Sequence, residues 1–266
     1  MAKQKAERLS RNVFPVNGLS LAYARAGKRW PLWRDRLVLV HGTGCSADSW
    51  RYQVDGLSRY LGVVAVDLPG HGGTKPVPDP SIRRYASMVE SLIEHIGTRK
   101  VFLGGHSMGG AVALQVALER PELLKGLILV ATTAYLDTLA LTPDILLWAG
   151  AAVPGKFREL FFSRSVTEEA LAIARGDVRR CSLETVLSDF ATCRQFDLRS
   201  KLKGMSVPTL ILCGKEDRIT SPRHSKQLHR QIQGSSLMLI PKAGHMLPLE
   251  ASVQVNTAIR DFIRKR

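Results

Sequence analysis

The chain has 266 residues, 45% of them hydrophobic and 23% charged, which is an ordinary globular balance with room for one large core. Its longest nearly apolar run, Ile145 to Val153, is too short to cross a bilayer, and the polar, basic residues 1–12 do not read as a secretory leader. The net charge of +15 gathers at the two ends without a basic stripe interleaved with aromatics, so a nucleic-acid partner is not expected.

Phe14–Val16 and Leu19–Ala24 flank Asn17-Gly18, a two-residue hairpin turn, and predict two antiparallel strands at a sheet edge. Arg36–Val40 is a continuous apolar run of the kind buried on both faces, and it ends in His41-Gly42-Thr43-Gly44. A helix is expected from about Ala47 to Arg59, with Ser46 as its N-cap. Gly62–Asp67 predicts the next strand, Ser81–Ile96 a helix, Lys100–Leu103 a short buried strand, and Gly126–Val130 another. Alternating strands and helices imply right-handed crossovers and a mostly parallel sheet.

That rhythm breaks over residues 133–207, far more chain than one crossover helix needs, so an inserted helical subdomain is expected between a core of 1–132 and 208–266. Its predicted helices are Pro143–Ala152, Lys156–Phe162, Thr167–Ala174 and Leu183–Cys193. The strands Thr209–Cys213 and Ser236–Ile240 and a helix from Ala251 to Arg264 complete the pattern.

The chemistry centres on Gly105-His106-Ser107-Met108-Gly109, set between a buried strand and the small-residue helix that follows. A strand that turns straight into a helix at Gly-x-Ser-x-Gly lifts the serine hydroxyl above the sheet, and the missing glycine Cβ atoms let strand and helix close around it. A serine hydroxyl is a poor nucleophile without a base oriented by a buried acid. His245 follows the last strand and supplies the base. Asp217, just beyond Cys213, is the preferred acid, with the adjacent Glu216 as its competitor. An oxyanion hole is expected from the backbone N–H groups of Met108 and Thr43. His41, His71 and His106 sit in glycine-rich turns without ligand spacing, so neither a metal nor any other cofactor is expected. Cys45, Cys181, Cys193 and Cys213 are scattered, and read as free thiols in a reducing, cytoplasmic setting.

Together, His41-Gly42-Thr43-Gly44, Asp67-Leu68-Pro69-Gly70-His71-Gly72, Gly105–Gly109, Gly214-Lys215-Glu216-Asp217 and Gly244-His245 resemble the α/β-hydrolase superfamily over most of the chain. The resemblance is nearest to small esterases and lactonases, including enol-lactone hydrolases and carrier-protein methyl esterases. It implies the α/β-hydrolase fold, with a mostly parallel eight-stranded sheet, helices on both faces and a helical lid after the sixth strand. It assigns Ser107, Asp217 and His245 to the triad and Thr43 and Met108 to the oxyanion hole. The implied activity is hydrolysis of a carboxylic ester or lactone through an acyl-enzyme. Carbon–carbon bond hydrolysis, perhydrolysis and a slow-turnover receptor role remain open alternatives. Leu136, Leu139, Leu141, Ile145, Leu146, Leu147, Trp148, Phe157, Phe161 and Phe162 are candidates for an acyl pocket. An acidic acyl-carrier protein is a possible partner, through Arg175, Arg179 and Arg180.

Overall fold

The computed structural model describes residues 10–16, 18–27, 35–96, 100–136 and 154–266. Eight strands form one sheet: β1 (Ser10–Val16), β2 (Leu19–Ala26), β3 (Arg36–Val40), β4 (Gly62–Val66), β5 (Val101–His106), β6 (Leu124–Val130), β7 (Thr209–Gly214) and β8 (Ser236–Ile240). Their order is β1-β2-β4-β3-β5-β6-β7-β8. The first two strands pair antiparallel, with Phe14 opposite Leu21, and β2 pairs antiparallel with β4. All later pairs are parallel, as the strand–helix alternation implies. The expected hairpin is present, and Gly18 takes a φ of 78° at its turn.

Strand residues two apart share a face, and the core divides accordingly. Val38, Val64, Leu103 and Leu127 face one helical layer, formed by α2 (Ile82–His95), α3 (Met108–Glu119) and Leu228 of α7 (Pro222–Gln231). Leu37, Val63, Phe102 and Ile128 face the other, where α1 (Arg51–Leu57) and α9 (Ser252–Arg264) supply Val54, Val255 and Phe262. Ser81 caps α2 by accepting from the Arg84 N–H. Ser46 caps not a long helix but a short 3₁₀ turn, Ala47–Trp50, that leads into α1.

Between β6 and β7 lie α4 (Pro154–Phe161), α5 (Glu168–Arg180) and α6 (Leu183–Gln195). The predicted helix Pro143–Ala152 lies outside the described residues. The first of these helices ends one residue before the predicted boundary, while the other two run on past theirs. They build a third apolar cluster against the loops above the sheet: Phe162, Ala170, Leu171 and Val186 meet Cys45, Met246 and Leu249. A four-residue turn of helix, α8 (Leu247–Glu250), separates the last loop from α9.

Strand order fixes where a site can form. From β3 the chain steps to β4 on one side, and then crosses to β5 on the other. The carboxyl ends of β3 and β5 therefore flank a topological switch point, where open α/β sheets leave a crevice.

Candidate active site

Ser107 occupies that crevice, at the tip of β5. Its backbone sits at φ 54° and ψ −121°, a conformation costly for any residue with a side chain. The surroundings impose it: Ser107 N–H donates to Val130 O at 3.0 Å, and Thr132 Oγ1 donates to Ser107 O at 2.7 Å. A Cβ on Gly105 would lie closer than 3.0 Å to the backbone of Gly109 and Gly110, and one on Gly109 would strike the carbonyls of Val40 and His41. Only paired glycines let α3 begin directly over β3 and β5. The helix N-terminus therefore faces the serine with its unpaired N–H groups.

His245 Nε2 lies 3.0 Å from Ser107 Oγ, and its Nδ1 lies 3.1 and 3.0 Å from the two carboxylate oxygens of Asp217. The sequence left Glu216 and Asp217 in competition. Asp217 is buried and turned toward the imidazole, whereas Glu216 is exposed and accepts from the Arg164 N–H at 3.4 Å. Burial alone would raise the Asp217 carboxyl. The charge and hydrogen bond of His245, with donors from Ile219 and Thr220, outweigh it and hold the group below the usual carboxylate range. Asp217 therefore stays ionised beneath the imidazole. Its Oδ1 accepts from Ile219 N–H and Thr220 N–H, each at 2.9 Å, and its Oδ2 accepts from Thr220 Oγ1 at 3.0 Å.

Three supports of this geometry were given no such role by the sequence, which marked Phe161 only as apolar lining and Glu250 only as part of the Gly244-His245 motif. Thr220 has just been described; a carboxylate that accepts N–H bonds two and three residues on is an Asx-type turn, and Asp-x-x-Thr was the readable trace of it. The carbonyl of Phe161, at the end of α4, accepts from both His245 N–H (3.0 Å) and Met246 N–H (3.1 Å). Glu250 accepts from Gly244 N–H at 3.1 Å and from Ser163 N–H at 2.6 Å. The loop that carries the imidazole thus hangs from the helical segment as well as from the sheet.

His106 Nε2–H donates to the carbonyl of His245 at 2.9 Å, and burial beside His245 pushes its imidazole down to about 3, so it stays neutral. His41 accepts from Leu68 N–H through Nε2 at 3.0 Å and donates from Nδ1 to Gly42 O at 2.8 Å, which ties the β3 loop to the β4 loop. Asp67 staples the same region, accepting from Ala47 N–H and Gly73 N–H.

Thr43 and Met108 meet beside the serine, with Thr43 Oγ1 3.4 Å from Met108 Sδ. Both line a cavity that also takes in Ser107 and His245 and is walled by Leu136, Phe161, Val178 and Phe190. Of the expected apolar lining, Leu136 and Phe161 do border the cavity, while Phe162 is buried in the third cluster. Leu139 to Trp148 and the Phe157 side chain lie outside the described residues.

Two buried carboxylates fasten the helical segment over the cavity. Asp177 on α5 accepts from Ser46 Oγ (2.7 Å) and Ser49 Oγ (2.8 Å), and Arg180 pairs with it at 2.6 Å. Asp189 on α6 accepts from Tyr85 Oη at 3.0 Å and lies 3.2 Å from His71 Nε2.

A sequence profile of the alpha/beta hydrolase family matches residues 37–258. The chain is 31% identical over 255 residues to the dihydrolipoyllysine-residue acetyltransferase component of the acetoin cleaving system of Pseudomonas putida. That match covers 86% of this chain and 63% of the relative, so the chain spans under two thirds of that protein. The pimeloyl-[acyl-carrier protein] methyl ester esterase of Neisseria meningitidis (serogroup C) is 29% identical, with 90% of this chain and 97% of the relative covered. Among solved structures, a thermophilic esterase superposes with a TM-score of 0.81 at 29% identity, over 97% of this chain and 98% of that one.

Proposed function

The chain belongs to the alpha/beta hydrolase family, and from that premise we propose that it is a serine hydrolase cleaving a carboxylic ester or lactone through an acyl-enzyme. One observation carries the reading: hydroxyl, imidazole and carboxylate stand in line, at 3.0 Å from Ser107 Oγ to His245 Nε2 and 3.0 Å from His245 Nδ1 to Asp217 Oδ2.

In the proposed reaction Ser107 Oγ attacks the carbonyl carbon while His245 Nε2 takes its proton. The oxyanion that forms accepts hydrogen bonds from the backbone N–H groups of Thr43 and Met108, a kind of contact worth about 3–4 kcal/mol each in the barrier. His245 returns the proton to the departing alkoxide as the tetrahedral intermediate collapses to the acyl-enzyme. Water, deprotonated by the same imidazole, then releases the acid and restores the serine. Asp217 holds the imidazole through Nδ1–H and balances its charge during both halves.

Residues 133–207 serve in this proposal as a cap. Support comes from Ala174, Val178 and Phe190, which bring α5 and α6 to the wall of the cavity. The substrate is a small ester or lactone. A carrier-bound ester, of the kind named in the Neisseria relative, is a narrower possibility that would use Arg175 and Arg179 on α5, since Arg180 already pairs with Asp177 and Asp48. Such docking would show as turnover that falls with added salt.

The test is a panel of aryl esters and lactones on the purified protein beside Ser107→Ala, with fluorophosphonate labelling of both. Labelling and turnover that vanish together in the variant support the proposal. Labelling without turnover points to a receptor-like role, and no labelling removes Ser107 as the nucleophile.

A further inference from the structure

The cavity beside Ser107 is unusual in what its wall withholds. Among the described residues that line it there is no lysine, arginine, aspartate or glutamate side chain. Three of its threonine hydroxyls donate within the protein: Thr132 Oγ1 to the Ser107 carbonyl, Thr220 Oγ1 to Asp217, and Thr43 Oγ1 to the Met108 sulfur, while Thr133 Oγ1 accepts from Tyr135 N–H at 3.5 Å. Its thiols, Cys45 and Cys193, are both pushed up by burial, Cys45 to about 12, and so stay protonated and uncharged. Arg179 and Arg194, which follow Val178 and Cys193 in sequence, are exposed.

The stretch 137–153 has no cation to offer. It contains no lysine, arginine or histidine, and its two charged residues, Asp137 and Asp144, are acidic. No cation can come to the cavity from that quarter.

Taking the hydrolase reading above as its ground, we propose that the acyl cavity selects by charge: the substrate places a neutral, apolar acyl group there, and acyl groups ending in a carboxylate or phosphate are rejected. An anion carried into this space loses its hydration and meets no countercharge among the described lining residues, whereas an alkyl chain gains burial. The net charge of +15 would by itself draw anions toward the protein. Rejection therefore has to arise in the cavity and not at the surface.

The experiment compares two aryl esters of nearly equal shape, 4-nitrophenyl heptanoate and the mono-4-nitrophenyl ester of adipic acid, at pH 7.5 and moderate salt. The expected result is a kcat/KM at least about a hundredfold higher for the heptanoate, a ratio set by the uncompensated burial of one carboxylate. A smaller ratio overturns the charge selection while leaving the hydrolase reading intact. If neither ester is cleaved and Ser107 does not react with a fluorophosphonate, the reading itself falls and takes this inference with it. Val178→Arg, which puts a cation into the wall, should shift the ratio toward the adipate ester by at least about tenfold; an unchanged ratio in a folded variant also counts against the proposal.

Discussion

Asp189→Asn isolates the contact that holds α6 to the body of the protein. Asp189 is fully buried, and its Oδ2 lies 3.2 Å from His71 Nε2. The same nitrogen lies 3.1 Å from the Gly44 N–H, and Nδ1 faces Pro69 O at 3.0 Å. One nitrogen cannot both accept from Gly44 and donate to Asp189. The carboxylate, a full charge buried away from bulk solvent, is the stronger claimant, so the ring is an imidazolium and the Gly44 contact yields. Burial would lower the His71 pKa, and His41 lies beside it with ring centroids 4.9 Å apart; the hydrogen bond and charge of Asp189, aided by Cys181, overcome this and push it up to about 10. Removing one partner of a buried pair costs about 3–5 kcal/mol, and the low end applies because the imidazole can shed its proton. At about 2.1 cal/mol/K per residue, 266 residues give an unfolding entropy near 0.6 kcal/mol/K, so the variant should melt about 5 °C lower. The sign with pH follows from a folded pKa above the unfolded one. The stabilisation is complete below about pH 6.5, the ordinary histidine value, and is lost as pH rises through about 10. Thermal melts of both proteins at pH 6, 8 and 10 give the difference directly, since other titrating groups cancel. A gap that stays constant across this range, or no gap at pH 6, would refute a charged His71–Asp189 pair.

Ser107→Ala should lower kcat by about a millionfold and Asp217→Asn by about 10⁴, measured on an activated aryl ester; similar residual activity in both would move the chemistry elsewhere. Gly105→Ala puts a methyl group into the Gly109 backbone, so the elbow must open, and kcat should drop at least about 100-fold while the circular dichroism spectrum is kept. Wild-type turnover in that variant would show that the serine tolerates displacement. Thr220→Val removes a hydroxyl 3.0 Å from Asp217 Oδ2. About tenfold in kcat with KM unchanged is expected from losing a hydrogen bond to a charged group, and a change confined to KM would contradict a role in holding the acid.

The fold was legible because the central strands are uninterrupted apolar runs, and Arg36–Val40 and Gly62–Val66 are indeed buried at every position. The elbow could be read because its glycines have a steric cause local to a few residues. Between Glu216 and Asp217 no such local cause exists, since adjacent side chains in a tight turn diverge and only the assembled loop chooses. Helix α7 was not foreseen at all. It is a polar helix that buries only Ser225 and Leu228, so it has no apolar run to announce it, although Pro222 at its first turn was a readable sign. Nothing in the sequence singled out Asp177 or Asp189. Their burial depends on Ser46, Ser49, His71 and Tyr85, whose approach is set by the tertiary fold and not by spacing along the chain.

Those two carboxylates bear on how the site keeps its geometry. The Ser107 backbone is strained, and such a conformation persists only where its neighbours over-determine it. On the serine side the sheet does this, through Val130, Thr132 and the paired glycines. On the imidazole side, the carbonyl of Phe161 holds the backbone of His245 and Met246, and Phe161 belongs to the helical segment. The distance from Ser107 Oγ to His245 Nε2 is thus set by two bodies of structure, and whatever docks one to the other helps to set it. Asp177 and Asp189 are buried parts of that docking, on α5 and α6, the helices that also wall the cavity. A segment that only covered the site could loosen without touching the proposed triad. Here the helices that wall the cavity share an apolar cluster with Phe161, from whose carbonyl the His245 loop hangs, so loosening them would reach the proposed triad.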